Sequence, residues 1–75
     1  MKLKTFTKVN TSRNTRYVVF KGEQFVEDFT VNYLEEMSKL SNAVRKRIDY
    51  ENNGANVQHV DTYGGKLEVT IQIRG

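Results

Sequence analysis

Seventy-five residues make one domain, near the lower size at which a core holds a fold unaided. Apolar types account for 37% of the chain and charged types for 28%, and there is no cysteine, which excludes disulfides and thiolate metal sites. The net charge of +3 is modest but unevenly spread: residues 1–21 hold six cations and no acid, 22–44 sum to −4, and 45–75 to +1. A basic first third beside an acidic middle suits an encounter with an acidic partner, or lysines guarding a solvated hairpin edge.

The N-terminal MKLKTFTKVN has no continuous apolar stretch, so neither a signal peptide nor a membrane span is expected, and a cytoplasmic location is the default. KLKTFTKV and TRYVVFK read as two strands joined by the polar loop NTSRN. A turn at Gly22-Glu23 leads to a further short strand at 24–27. The sequon Asn10-Thr11-Ser12 is a chance match without an export signal.

A helix is expected over about 30–49, with Thr30 as N-cap and Phe29 and Leu34 as a hydrophobic staple. Leu34, Met37, Val44 and Ile48, flanked by Tyr33 and Leu40, form its apolar stripe. Glu35 and Glu36 suit the positive end of the helix dipole, and ENNG ends the helix. The triplet Arg45-Lys46-Arg47 then falls in the last turns and fans away from the core. It reads as a helix ending, with Asp49 paired to Arg45, and not as a nucleic-acid handle.

Gly64-Gly65 supplies a two-residue hairpin turn, and KLEVTIQI alternates as a strand with one buried face. The register pairs Thr62 with Leu67, Val60 with Val69 and His59 with Thr70, which keeps Asp61 out of the core at the cost of facing Glu68. The fold class is therefore α+β, a single domain over 1–75. One helix packs on one face of an antiparallel sheet built from two hairpins, in the order hairpin, helix, hairpin.

Chemistry finds little purchase. His59 is the one histidine and has no companions at metal-ligand spacing, so no metal and no cofactor are expected. The neighbouring acids Glu27-Asp28 and Glu35-Glu36 diverge on a strand or helix, and Gly64-Gly65-Lys66 lacks the rest of a phosphate loop. An enzyme is not expected, nor a small-molecule substrate.

One helix roofs one sheet face and leaves the other free to bind. With Leu3, Val9, Val18 and Phe20 directed to the helix, the free face carries Lys4, Phe6, Lys8, Tyr17 and Val19, joined by Val57, His59, Tyr63 and Lys66. The expected contact set is Phe6, Tyr17 and Tyr63 as anchors, with Lys4, Lys8, Arg13 and Arg16 steering the encounter and His59 and Lys66 beside them. A small modulator or inhibitor docking on a macromolecular protein partner, through the open sheet face or an edge strand, is the first reading. A nucleic-acid binder using the same aromatics and lysines is the second, and a self-associating homodimer the third. A short chain without cysteine or proline also suits the style of phage accessory proteins that dock on host machinery, a compositional remark with no motif behind it.

Overall fold

The computed structural model describes residues 1–10, 12–36, 38 and 41–74. In chain order the elements are a short helix α1 (Leu3–Thr7), strands β1 (Thr15–Lys21) and β2 (Gln24–Val31), a 3-10 turn (Tyr33–Glu35), helix α2 (Asn42–Asn52), and strands β3 (Asn56–Tyr63) and β4 (Lys66–Gln72). The strands form one sheet in the order β2-β1-β4-β3. The α+β class agrees with expectation, but the first hairpin is β1–β2 rather than residues 2–9 with β1, and a second helix, α1, precedes it. The sheet, however, is mixed: both hairpins are antiparallel, and β1 and β4 meet in parallel at its centre.

Burial explains why those two strands are central. Their inward residues pair directly, Thr15 with Leu67, Tyr17 with Val69 and Val19 with Ile71, and all six are buried. Strands with a fully apolar inner face gain most in the middle of the sheet, while the more polar β2 and β3 take the edges. Leu3, Phe6, Val31, Val44 and Ala55 complete the core.

Three expected elements are corrected. The segment KLKTFTKV is not a strand. Leu3, Phe6 and Thr7 are its buried residues, and their i, i+3, i+4 spacing gathers one apolar face only on a helix. Just before α1 the backbone does pair as a strand: Lys2 bridges Asn56, and Val57 N donates to Met1 O at 2.8 Å. The short strand at 24–27 extends to Val31, so Thr30 lies in β2 opposite Arg16 and caps no helix. Consequently α2 starts later and runs further than 30–49. Ser41 is its N-cap, accepting from Val44 N at 3.4 Å, and Gly54, at φ 79°, follows its C-terminus. Of the expected stripe Val44 is buried, whereas Ile48 and Tyr33 are partly exposed and Leu34 is 77% exposed. Met37, Lys39 and Leu40 lie outside the described residues.

The cationic triplet therefore sits in the first half of α2, and its role as a C-terminal complement to the dipole is withdrawn. Each member does something different. Arg47 turns inward and pairs with Glu36 and Glu51. Lys46 reaches β2, 2.8 Å from Glu27 Oε1 and 5.5 Å above the Phe29 ring. Arg45 stays exposed, with no ion pair to Asp49. An aromatic stack backs this arrangement, with Tyr17 to Phe29 at 5.3 Å and Phe29 to Tyr50 at 6.1 Å. Glu51 also accepts from the Thr7 hydroxyl, fastening α1 to α2.

Candidate functional site: the bare sheet face

Both helices pack on one side of the sheet, so the other side is bare. Its residues follow from register. Arg16, Val18 and Phe20 of β1 alternate with the buried Thr15, Tyr17 and Val19. Facing the same way are Asp28 and Thr30 on β2, with Phe25 opposite Phe20. Lys66, Glu68, Thr70 and Gln72 of β4, and His59, Asp61 and Tyr63 of β3, complete the face.

This reverses the expected inside and outside of β1. Val18 and Phe20 were assigned to the helix side, but they share their face with Arg16, which an inward turn would have buried as a charge. Tyr17 and Val19 go inward instead, each fully buried. Tyr17 is thus removed from the candidate contact set. Phe6 leaves it for a similar reason, its ring lying in the core beneath α1. Val57 also changes sides: a bulge between Val57 and His59 adds one residue to β3, so Val57 pairs with the inward Ile71. Val9, expected inward, is 78% exposed.

Of the other candidates, Arg16, His59, Tyr63 and Lys66 do come together on the bare face. The His59–Thr70 pairing is the expected one. Lys4 and Lys8 are exposed but ride on α1 and its C-cap, and Arg13 sits in the loop before β1. These three do not join the others.

Arg16 organises the centre of the face. Its guanidinium donates to Asp28 Oδ2 from Nη2 at 2.7 Å and from Nε at 3.0 Å, and to Glu68 Oε2 from Nη1 at 3.0 Å. One cation therefore ties β2, β1 and β4 together, and the hydrogen bonds to Asp28 and then Glu68 raise its pKa further. At one end Phe20 and Phe25 meet edge to face at 5.9 Å. Gln72 stands beside them, accepting from Gly22 N at 2.9 Å and donating to Gly22 O at 2.7 Å and Gln58 Oε1 at 3.1 Å. At the other end Tyr63 is 60% exposed next to Lys66. His59 Nε2 lies 3.1 Å from Asp61 Oδ1.

Phe20, Phe25, Asp28, Glu68 and Gln72 were missed by sequence reasoning. The signal for the first four was the position of Arg16, since fixing its side outward fixes theirs.

A second charged group lies inside. Arg47 and Glu36 are 8% and 12% exposed and ion-paired, with Glu51 Oε2 3.5 Å from Arg47 Nε. Burial works against the Arg47 charge, and the hydrogen bond and charge of Glu36 more than offset it, leaving the pKa raised. The Tyr17 hydroxyl lies beside the Arg47 guanidinium, which favours its ionised form, but burial outweighs this and pushes it up to about 12. This cluster lies largely out of water and ties together α1, α2 and the segment before α2.

As chemistry, the bare face offers little. His59 is 64% exposed and turned to Asp61, with no nucleophile hydrogen-bonded to it among the described residues. No three His, Asp or Glu side chains among them gather as a metal would require. No helix among them is long and apolar enough to cross a membrane. Comparison of the chain with protein-family models, with curated proteins and with solved structures finds no match.

Proposed function

We propose that this domain is a non-catalytic binding module that docks on a protein partner through its bare sheet face, in the manner of a small modulator or inhibitor. One observation carries the reading. The face is polar and internally paired at its centre, around Arg16, and presents exposed aromatic rings at both ends, Phe25 at 53% and Tyr63 at 60% exposure. Large rings left in water are the usual anchors of protein interfaces, and the polar groups between these two are already satisfied.

Charge favours a protein over a nucleic acid as occupant. The strands present Asp28, Asp61 and Glu68 on this face against Arg16 and Lys66, and Arg16 is already engaged by two carboxylates. Phosphates would meet a face with more acid than base. The partner should instead offer apolar pockets with cations around them.

The test compares wild type with a Phe25→Asp, Tyr63→Asp double variant. Both side chains are exposed, so the fold should survive, which circular dichroism checks. A partner recovered by the wild type is purified, its affinity measured for both proteins, and its footprint mapped by amide chemical-shift changes. Loss of binding with a footprint on β1, β4 and β3 supports the reading. Equal affinity for both proteins, or a footprint on the helices, overturns it.

A further inference from the structure

We infer that the domain forms a two-fold symmetric dimer by pairing the free edge of β3 with the same edge of a second copy, joining two four-stranded sheets into one of eight. The contact runs along the backbone edge of β3, whose His59 and Asp61 side chains lie at the margin of the bare face.

The two sheet edges differ in how they could meet themselves. An antiparallel strand paired with its own copy places residue i opposite a residue that mirrors it about the two-fold axis. With the axis at Val60, His59 of each copy faces Asp61 of the other, Gln58 faces Thr62, and Val60 faces Val60. Two histidine–aspartate pairs able to hydrogen-bond and one apolar pair result, with no carboxylate opposite another. On β2 a central axis at Glu27 sets Glu27 against Glu27, and one at Asp28 sets Asp28 against Asp28, so the same operation opposes carboxylate to carboxylate and disfavours self-pairing.

Three features of β3 suit the addition. Its outer edge already takes one antiparallel strand: Leu3 N donates to Ala55 O at 2.9 Å and Val57 N to Met1 O at 2.8 Å, and this pairing stops at Val57. The backbone beyond it, from Gln58 to Thr62, is the length the symmetric ladder uses. Asp61 lies directly opposite Glu68, a like-charged neighbour whose own cation is Arg16. Within its chain Asp61 has only the His59 ring as counterpart among the described residues, so a second histidine from the partner copy relieves it. Finally Val60, 39% exposed on the helix side of an edge strand, gains an apolar neighbour.

Sedimentation of the wild type should show a concentration-dependent monomer–dimer equilibrium. His59→Asp puts aspartate opposite aspartate twice and should weaken the dimer about tenfold or more. The swap His59→Asp with Asp61→His recreates the pairs and should restore it. Val60→Lys, which sets two ammonium groups at the axis, should also give monomer, and it is independent of any effect on the His59–Asp61 pair. Folding of each is checked by circular dichroism. Phe25→Asp should leave the dimer intact, which separates this outcome from failure of the bare-face reading. A wild type that stays monomeric up to millimolar concentration, or a dimer indifferent to Val60→Lys, overturns the inference.

Discussion

Arg47 and Glu36 form an ion pair from which water is almost excluded, the two side chains being 8% and 12% exposed, in a chain of only 75 residues. Glu51 adds a second carboxylate to the same guanidinium and holds the Thr7 hydroxyl of α1. The cluster thus stands where α1, α2 and the segment before α2 converge. Such a pair is costly to break from one side, because the abandoned charges stay buried. Arg47→Met should lower unfolding free energy by about 3–5 kcal/mol, read as a fall in urea midpoint at unchanged slope. Removing Glu36 as well, in Arg47→Met with Glu36→Leu, should recover part of that loss. A double variant less stable than Arg47→Met alone would show that Glu36 is not a stranded charge once Arg47 is gone.

Stability should fall at both ends of the pH scale, for different residues. Burial raises the Tyr17 hydroxyl to about 12, and burial with the Glu27 hydrogen bond raises Tyr50 to about 12. An unfolded tyrosine titrates near pH 10, so each phenol holds its proton more tightly when folded. Their contribution is complete below pH 10 and is lost as pH climbs through about 12. Glu27 behaves in the opposite sense. Lys46 first, and then the Tyr50 hydroxyl, hold its carboxyl below the ordinary range, so its contribution is present above that range and disappears as pH falls. Urea midpoints measured from acid to alkaline pH should give a plateau with two falling limbs. Tyr17→Phe should flatten the alkaline limb while costing no more than about 1.5 kcal/mol at neutral pH, the net worth of a contact with Arg47.

Legibility of the fold tracked the strength of local pattern. In β4 only one alternation is possible, and the β3–β4 register, including the Asp61–Glu68 opposition, could be read from sequence because a slip would have buried Asp61. In β1 both parities are apolar, Tyr17 and Val19 against Val18 and Phe20, and the deciding residue is Arg16. Once its charge is required to face water, the assignment of the face reverses. The stretch from Leu3 to Thr7 was harder, because in so short a run a strand and one turn of helix share the same composition and differ only in spacing. The parallel contact of β1 with β4 has no local signature at all. It follows from tertiary burial, which sends the two strands with the most apolar inner faces to the centre. The candidate surface inherited these errors directly: Tyr63, His59, Lys66 and Arg16 do share the bare face, while Tyr17 and Phe6 lie in the core.

The β3–β4 turn offers a gain in stability. Gly64 and Gly65 have φ of 50° and 84°, both in the left-handed region, and no atom lies within 4 Å of where a Cβ at Gly64 would be. Asparagine tolerates that conformation, and Asn-Gly is the favoured pair for such a hairpin turn. Gly64→Asn restricts the unfolded chain at little folded-state expense, so it should stabilise the domain by about 0.4–1 kcal/mol. Gly64→Val should do the reverse, being β-branched at positive φ. Thermal melting of the two variants beside wild type decides the matter; a Val variant as stable as the Asn variant would mean the turn is not under this constraint.

The cations of this protein bear on nucleic-acid binding in a way its net charge of +3 hides. On the bare face Arg16 is tied to Asp28 and Glu68, which leaves Lys66, next to Tyr63, as that face's one other Lys or Arg among the described residues; on α2 Lys46 is tied to Glu27, and Arg47 is buried with Glu36. Lys4, Lys8 and Arg13 are exposed, but they sit on α1 and the loop that follows, apart from the exposed rings of Phe25 and Tyr63 on which bases would stack. Sequence-independent binding of single strands needs cations and aromatics on one surface, with affinity falling steeply as salt rises. Titration with single-stranded DNA and RNA and with duplex DNA at two salt concentrations should therefore show no more than weak association, and that insensitive to Phe25→Asp and Tyr63→Asp. Micromolar affinity at physiological salt, lost in either aromatic variant, would instead make the bare face a nucleic-acid surface and displace the protein partner proposed for it.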